Sequence, residues 1–185
     1  MKKLLIFLKK YRKESVMAPL FKMLEAIFEL IVPLVVASII DNGIKTGNSK
    51  FVVSRALILV LLAVIGMTAA ITAQYFAAKA ATGFATGVRK ALYEKIQSFS
   101  FTELDNVGIS TLITRMTNDV NQSQSAVNMA LRLLLRSPFI VVGAFVMAMA
   151  IDIKASMIFL AVIALLSIVI VSIMKWTVPK YRNVQ

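Results

Sequence analysis

The sequence predicts an all-α integral membrane protein. It has about four long transmembrane helices, a cytoplasmic helical hairpin extension and a short interfacial helix in front of them. Three observations predict this. Hydrophobic residues make up 59% of the chain and mean hydropathy is +0.82, whereas soluble domains are only about 45–50% apolar. Apolar runs long enough to cross a ~30 Å hydrocarbon core recur along the sequence. Beyond two of these runs a helical, amphipathic period continues well past the length a bilayer needs.

Composition narrows the chemistry. The chain has neither Cys nor His. Without Cys there is no disulfide framework and no thiolate metal site. Without His the commonest general base and the usual zinc ligand sets are gone. No catalytic residue and no metal site is assigned. The net charge of +12 would point a soluble chain toward nucleic acid. Here the basic residues flank apolar spans, where anionic lipid and membrane topology account for them. Membrane lipid, not nucleic acid, is the expected partner.

Residues 1–15 begin with Lys2 and Lys3 before the apolar run Leu4–Leu8, which Lys9, Lys10, Arg12 and Lys13 cut short. A signal-peptide core needs ~7–15 apolar residues followed by a small-residue cleavage site, and neither is present. Leu4, Leu5, Phe7, Leu8 and Tyr11 mark one face of a short helix with Lys on the other. That is the pattern of a helix lying on the membrane surface.

Residues 16–40 form the first span, whose rise of about 37 Å crosses the core with tilt. Asp41-Asn42-Gly43 ends it with turn-forming residues, and a polar loop runs to Lys50. Residues 51–99 read as one helix, strongly apolar to about Phe76 and amphipathic afterwards. Phe84, Val88, Leu92, Ile96 and Phe99 lie on one stripe of that second part.

The segment 100–109 (SFTELDNVGI) breaks the period and forms the turn. Residues 110–151 then carry a second amphipathic helix, with Leu112, Met116, Val120, Val127 and Leu131 on its apolar side. It joins a third apolar stretch from about Leu133 to Ile151. Asp152-Ile153-Lys154 makes a tight turn, and residues 155–185 hold the fourth span and the start of its polar extension. The arms Ala77–Ser98 and Ser110–Arg132 each project about 33–35 Å if helical. An ordinary loop between spans has no need of such a hairpin.

Basic residues set the sidedness. Six Lys or Arg precede residue 16, seven lie between residues 76 and 136, and three follow from Lys175. The opposite face of a four-span topology holds only Lys45, Lys50, Arg55 and Lys154. The positive-inside rule places the arms and both termini in the cytoplasm, with the chain in the plasma (inner) membrane.

Lys22, Glu25 and Glu29 are charges inside a span, and their spacing puts them along one helical side. Each costs at least ~2.5–3.5 kcal/mol near a bilayer centre, so such groups face a cavity or a partner. Lys22 with Glu25 reads as a local pair near the cytoplasmic rim, and Glu25, on the same stripe as Glu29, is also a candidate for the substrate pathway. Glu29, nearest the middle, is a candidate for a pathway that meets a cationic group. Gln74 is a pathway candidate too, or a hydrogen-bonding residue between helices. Gly83 and Gly87 are a small-xxx-small pair set to pack on another arm. The Met and Phe residues sit mainly on apolar spans as packing or lipid-facing surface.

The turn and rising arm read Phe101-Thr-Glu103-Leu104-Asp105, then Leu112-Ile-Thr-Arg115-Met-Thr-Asn-Asp119-Val120. This resembles the first intracellular loop of ABC exporters of the multidrug type, where a short transverse coupling helix precedes LxxRxTNDV. Val88-Arg89-Lys90-Ala-Leu92-Tyr93-Glu-Lys95-Ile96 is similar to the family's descending arm. Pro33 with Ile39-Ile40-Asp41-Asn-Gly43-Ile44 is similar to the end of its first span. The likeness runs from the elbow helix at residues 1–15 to the fourth span, the N-terminal part of a type 1 transmembrane domain. Ser110 stands where the family often has Gly, a feature closer to half-transporters that work as heterodimers.

The resemblance implies the permease portion of an ATP-driven exporter, with a second transporter half (a homo- or heterodimer) and a small-molecule substrate. Phe101, Glu103, Leu104 and Asp105 would contact a nucleotide-binding domain, in cis or in trans. Arg115 and Asp119 would either hold the neighbouring arm or form an exposed intrahelical pair worth ~0.2–0.5 kcal/mol. Neither G-x-x-x-x-G-K-[ST] nor LSGGQ occurs in the chain, so ATP and Mg would belong to that other domain. The alternative is a non-transporting four-helix scaffold or regulatory subunit that binds a cytoplasmic partner through the hairpin.

Overall fold

A computed structural model describes the backbone of residues 4–151 and 153–182, and its regular structure is entirely helical among the described residues. A 3-10 segment, Leu4–Tyr11, leads into α1 (Arg12–Ile39), α2 (Ser49–Gln97), α3 (Phe101–Val107) and α4 (Ile109–Thr114). There follow α5 (Val120–Leu133), α6 (Arg136–Ile151) and α7 (Ile153–Arg182). Four stretches are long and apolar enough to cross a membrane: Ile6–Ile44, Ser49–Gln97, Ile109–Met149 and Ser156–Lys175. The expected turn residue Asp152, the basic Lys2 and Lys3, and residues 183–185 lie outside the described residues.

The chain divides into two compact units, Met1–Ile140 and Val141–Gln185. In the second, Met157, Ile158, Leu165 and Ile168 are all more than half exposed. A helix satisfies its backbone internally, so it can turn such side chains toward an apolar solvent.

In the first unit, α1 and α2 meet through small side chains. Ala18, Lys22 and Ala26 are the buried residues of α1, one per turn. Those of α2 begin with Ala69, Ala73 and Ala77 and continue through Ala81, Phe84 and Val88. In lipid, where apolar burial gives little drive between helices, close backbone approach and dispersion hold such contacts. The Phe21 and Phe76 rings stack across this seam with centroids 6.1 Å apart.

Helix α2 runs unbroken for 49 residues, about 73 Å and more than twice a ~30 Å hydrocarbon core. The Asn48 side chain caps its start by accepting from the Phe51 amide at 3.1 Å. Its far part forms the hairpin with α5. Phe84, Ala85, Val88 and Val120 make a buried cluster against which Phe7, Leu8, Leu92 and Val127 pack. Two polar links flank the cluster. Arg89 donates to the Asn121 side-chain oxygen at 2.5 Å, and Gln124 donates to the Thr82 hydroxyl at 3.3 Å. Residue numbers rise on one strand of the hairpin as they fall on the other, so the arms are antiparallel.

The structure differs from the sequence reading at four places. Asp41-Asn42-Gly43 does not end the first helix, which continues as a π turn over Ile40–Ile44. Gly43 is there for closeness, because a Cβ would lie 2.7 Å from Val52 Cγ2; the reversal falls at Gly47, with φ +68°. The second arm is interrupted by a π turn at Arg115–Asp119. Between α5 and α6 the helix is broken at Leu134 and Leu135, where Pro138 has no N–H to offer the Leu134 carbonyl. Finally, the apolar face of the N-terminal segment is used against protein, with Phe7 and Leu8 packed on the hairpin cluster.

Candidate functional site

Four charges meet where α1 faces the start of α6. Lys22 Nζ lies 2.5 Å from Glu25 Oε2, and the two side chains are only 8% and 12% exposed. Arg136 Nη2 donates to both oxygens of Glu29 at 2.7 Å, a link between residues 107 apart in sequence. The same nitrogen is 3.9 Å from Glu25 Oε1. Two cations thus neutralise two carboxylates in the alternating order Lys22, Glu25, Arg136, Glu29. Pairing removes most of the cost of holding such groups in a span.

The Arg136–Glu29 bond is not the two-nitrogen fork that makes Arg–carboxylate pairs strongest. One nitrogen serves both oxygens, and Arg136 Nε is buried without a hydrogen-bond partner. Pro33 also weakens the backbone locally, because it supplies no N–H to the Glu29 carbonyl. Arg136 is the first residue of α6.

Beside the pair, a cleft of about 240 Å³ opens between α1 and α2. Glu25 and Glu29 give it a polar edge, and Phe28, Val32, Leu62 and Met67 give it apolar walls. Gln74 lies outside this lining and is exposed on α2.

At the far end of the hairpin, α3 is a short helix rather than an irregular turn. Ser100 is its N-cap, and the Ser100 hydroxyl accepts from the Glu103 amide at 3.3 Å. The Glu103 carboxylate accepts from the Ser100 amide and hydroxyl, both at 2.8 Å. This is a capping box. The Ser100 amide, and then its hydroxyl, hold the Glu103 carboxyl below the ordinary carboxylate range. Gly108, at φ +80°, closes the helix and starts α4. Phe101 is 89% exposed, Asp105 is exposed and Leu104 half-buried. Arg115 and Asp119 are both exposed and form no ion pair with each other among the described residues; the π turn they bound changes the i, i+4 geometry that would join them.

Sequence reasoning missed three features of this region. Arg136 was counted only as a topological charge. Ser100-x-x-Glu103 carries a capping-box pattern that goes unread beside the family motif. Gly83 and Gly87 receive not another arm but the N-terminal segment. A Cβ at Gly87 would lie 2.9 Å from Phe7 Cδ1, and one at Gly83 would strike the Tyr11 ring. Glu14 adds an ion pair to Lys79 at 2.9 Å. The matching spacing Phe7-xxx-Tyr11 was the available signal.

The span count, the protruding hairpin and the exposed tip define the membrane-embedded part of a transporter. The chain belongs to the ABC transporter transmembrane region family, which matches residues 15–185. It is 33% identical over 185 residues to the uncharacterized ABC transporter ATP-binding protein YfiB of Bacillus subtilis, covering 100% of this chain and 32% of YfiB. A Mycobacterium tuberculosis protein, the uncharacterized ABC transporter ATP-binding protein Rv1273c, is 28% identical over 175 residues, 95% of this chain and 30% of its own length. An export ATP-binding/permease protein of Rickettsia felis is 23% identical over 141 residues, 76% of this chain and 24% of its own. The chain spans about a third of the length of YfiB. It is a multi-pass membrane protein and a transporter's membrane part.

Proposed function

We propose that this chain is the permease portion of an ATP-driven exporter in the plasma (inner) membrane, with its hairpin and both termini in the cytoplasm. The tip, residues 100–109, docks in a nucleotide-binding domain supplied in cis or in trans. ATP and Mg²⁺ act on that domain. A second transporter half completes the assembly, and the exported substrate is a small molecule. The name of the Rickettsia felis relative, which joins ATP-binding to permease, and those of the YfiB and Rv1273c relatives, which are ABC transporter ATP-binding proteins, favour this partnership over a non-transporting scaffold.

The observation that carries the reading is the exposed Phe101 on a capped helix at the end of an unbroken 49-residue rod. A continuous helix transmits rigid-body displacement, which is how domain closure reaches distant elements. Glu103 spends its carboxylate on the cap, so Phe101, Leu104 and Asp105 make the contact while Glu103 keeps the tip helical. Arg115 and Asp119 stand on the rising arm beside it. The cleft edged by Glu25 and Glu29 lies on the substrate pathway and takes the cationic part of a substrate, with Gln74 further along α2.

The test is made in the intact transporter. Phe101→Ala and Leu104→Asp are expected to abolish transport and substrate-stimulated ATP hydrolysis while leaving the protein folded in the membrane. Unchanged transport and stimulation in both variants would refute the docking role.

A further inference from the structure

We propose that Arg136 is a specificity-determining residue of the cleft: it serves as an internal counter-cation that occupies Glu29 until a substrate's cationic group displaces it. The inference rests on the reading of the cleft as part of the substrate pathway.

The geometry separates the two carboxylates of the cleft. Glu25 is held by Lys22 at 2.5 Å, and both side chains are nearly enclosed. Glu29 is 49% exposed, and among the described residues only Arg136 pairs with it. Glu25 is thus a closed pair and Glu29 an accessible one. The accessible pair is also the poorly formed one, since Arg136 uses a single nitrogen and leaves Nε buried and unsatisfied. An exchange of partners at Glu29 costs little, because the incoming cation restores neutrality as it arrives.

The released guanidinium has a second acceptor within reach. Glu25 Oε1 is 3.9 Å from the same Nη2, so Arg136 can move toward Glu25 without becoming an unpaired charge in the span. Phe28, Val32, Leu62 and Met67 then receive the apolar body whose cation sits on Glu29. Lys in place of Arg would be a compact, more strongly hydrated competitor without the planar donor set. A neutral or anionic molecule of the same shape has no means of removing Arg136. The cleft therefore selects for charge by competition, and the strength of the internal pair sets the threshold.

The test measures binding of tetraphenylphosphonium, a permanently charged apolar cation, to the intact purified transporter, with the similarly shaped anion tetraphenylborate as control. Arg136→Gln removes the competitor and is expected to lower the half-saturating cation concentration about five- to tenfold, the scale of one modest ion pair. Arg136→Lys, which keeps a charge and guards against a folding failure, should change it less. Glu29→Gln should abolish cation binding, and the anion should bind none of the variants at the cleft. Wild type that fails to bind the cation in a Glu29-dependent way overturns both the pathway reading and this one. Glu29-dependent binding that Arg136→Gln leaves unchanged or weakens overturns the counter-cation role alone.

Discussion

Gly83→Ala is the sharpest test of how the N-terminal segment is held. Added to a solvent-facing helix position, the methyl group would stabilise by about 1 kcal/mol, because Gly is that much worse than Ala inside a helix. Here the new Cβ falls on the Tyr11 ring, meeting three of its atoms. The ring cannot give by a few tenths of an ångström; it must leave. Overpacking of this kind costs about 1–3 kcal/mol, and the expelled ring loses its contacts as well. The expected net effect is a destabilisation of about 1–2 kcal/mol, opposite in sign to the helix-propensity effect.

Gly87→Ala provides the internal comparison. Its Cβ would meet Phe7 Cδ1 at 2.9 Å and Phe7 Cβ and Cγ at 3.4 Å, an overlap that a shift of tenths of an ångström relieves. Gain and cost then nearly cancel. The assay is thermal unfolding of the purified protein by circular dichroism, run as a double-mutant cycle with Tyr11→Ala. Once Tyr11 is truncated, Gly83→Ala should become neutral or stabilising, and this sign change identifies the contact. Additive effects of Gly83→Ala and Tyr11→Ala, or a Gly83→Ala protein more stable than wild type, would refute the docking of Tyr11 on Gly83.

Three further predictions concern the tip. The absence of Cys makes a spin label at Thr102→Cys specific, and label mobility reports whether α3 is formed. Ser100→Ala should raise it, since losing a Ser N-cap costs about 1 kcal/mol. Glu103 is depressed in the folded tip, so its contribution is complete above the ordinary carboxylate range and is lost as pH falls through the lower folded value. Mobility should step up on acidification, and Glu103→Gln should remove that step. Gly108→Ala forces a side chain into φ +80° and should loosen the tip by about 1–3 kcal/mol, seen as raised mobility at neutral pH.

The long elements were legible because their signals are local. An apolar run followed without a breaker by the stripe Phe84, Val88 and Leu92 admits one helix, and α2 is that helix. The antiparallel arms followed from two such stripes joined by ten residues of broken period. What was not legible depends on partners distant in sequence. Asp41-Asn42-Gly43 has the composition of a turn, but whether a Gly reverses the chain or admits a neighbour is decided by Val52. Gly83 and Gly87 likewise announce a close approach without naming what approaches. The π turn at Arg115–Asp119 has no compositional mark at all, and it removes the i, i+4 relation that the spacing alone would assign.

The charge cluster shows how far a physical cost carries such an argument. The price of a carboxylate in a span requires that Glu29 have company, and that much can be read from the sequence. Its partner cannot, because the sequence already accounts for Arg136 as one of the basic residues from which the sidedness is read. A cation at the end of a span satisfies the positive-inside rule whether or not it also neutralises an acid on another helix. The two roles separate only in space, where Arg136 reaches Glu29 at 2.7 Å while no acid in the described structure lies within ion-pair distance of Arg132, one turn earlier. The bond joins α1 to the first residue of α6, next to the break at Leu134 and Leu135.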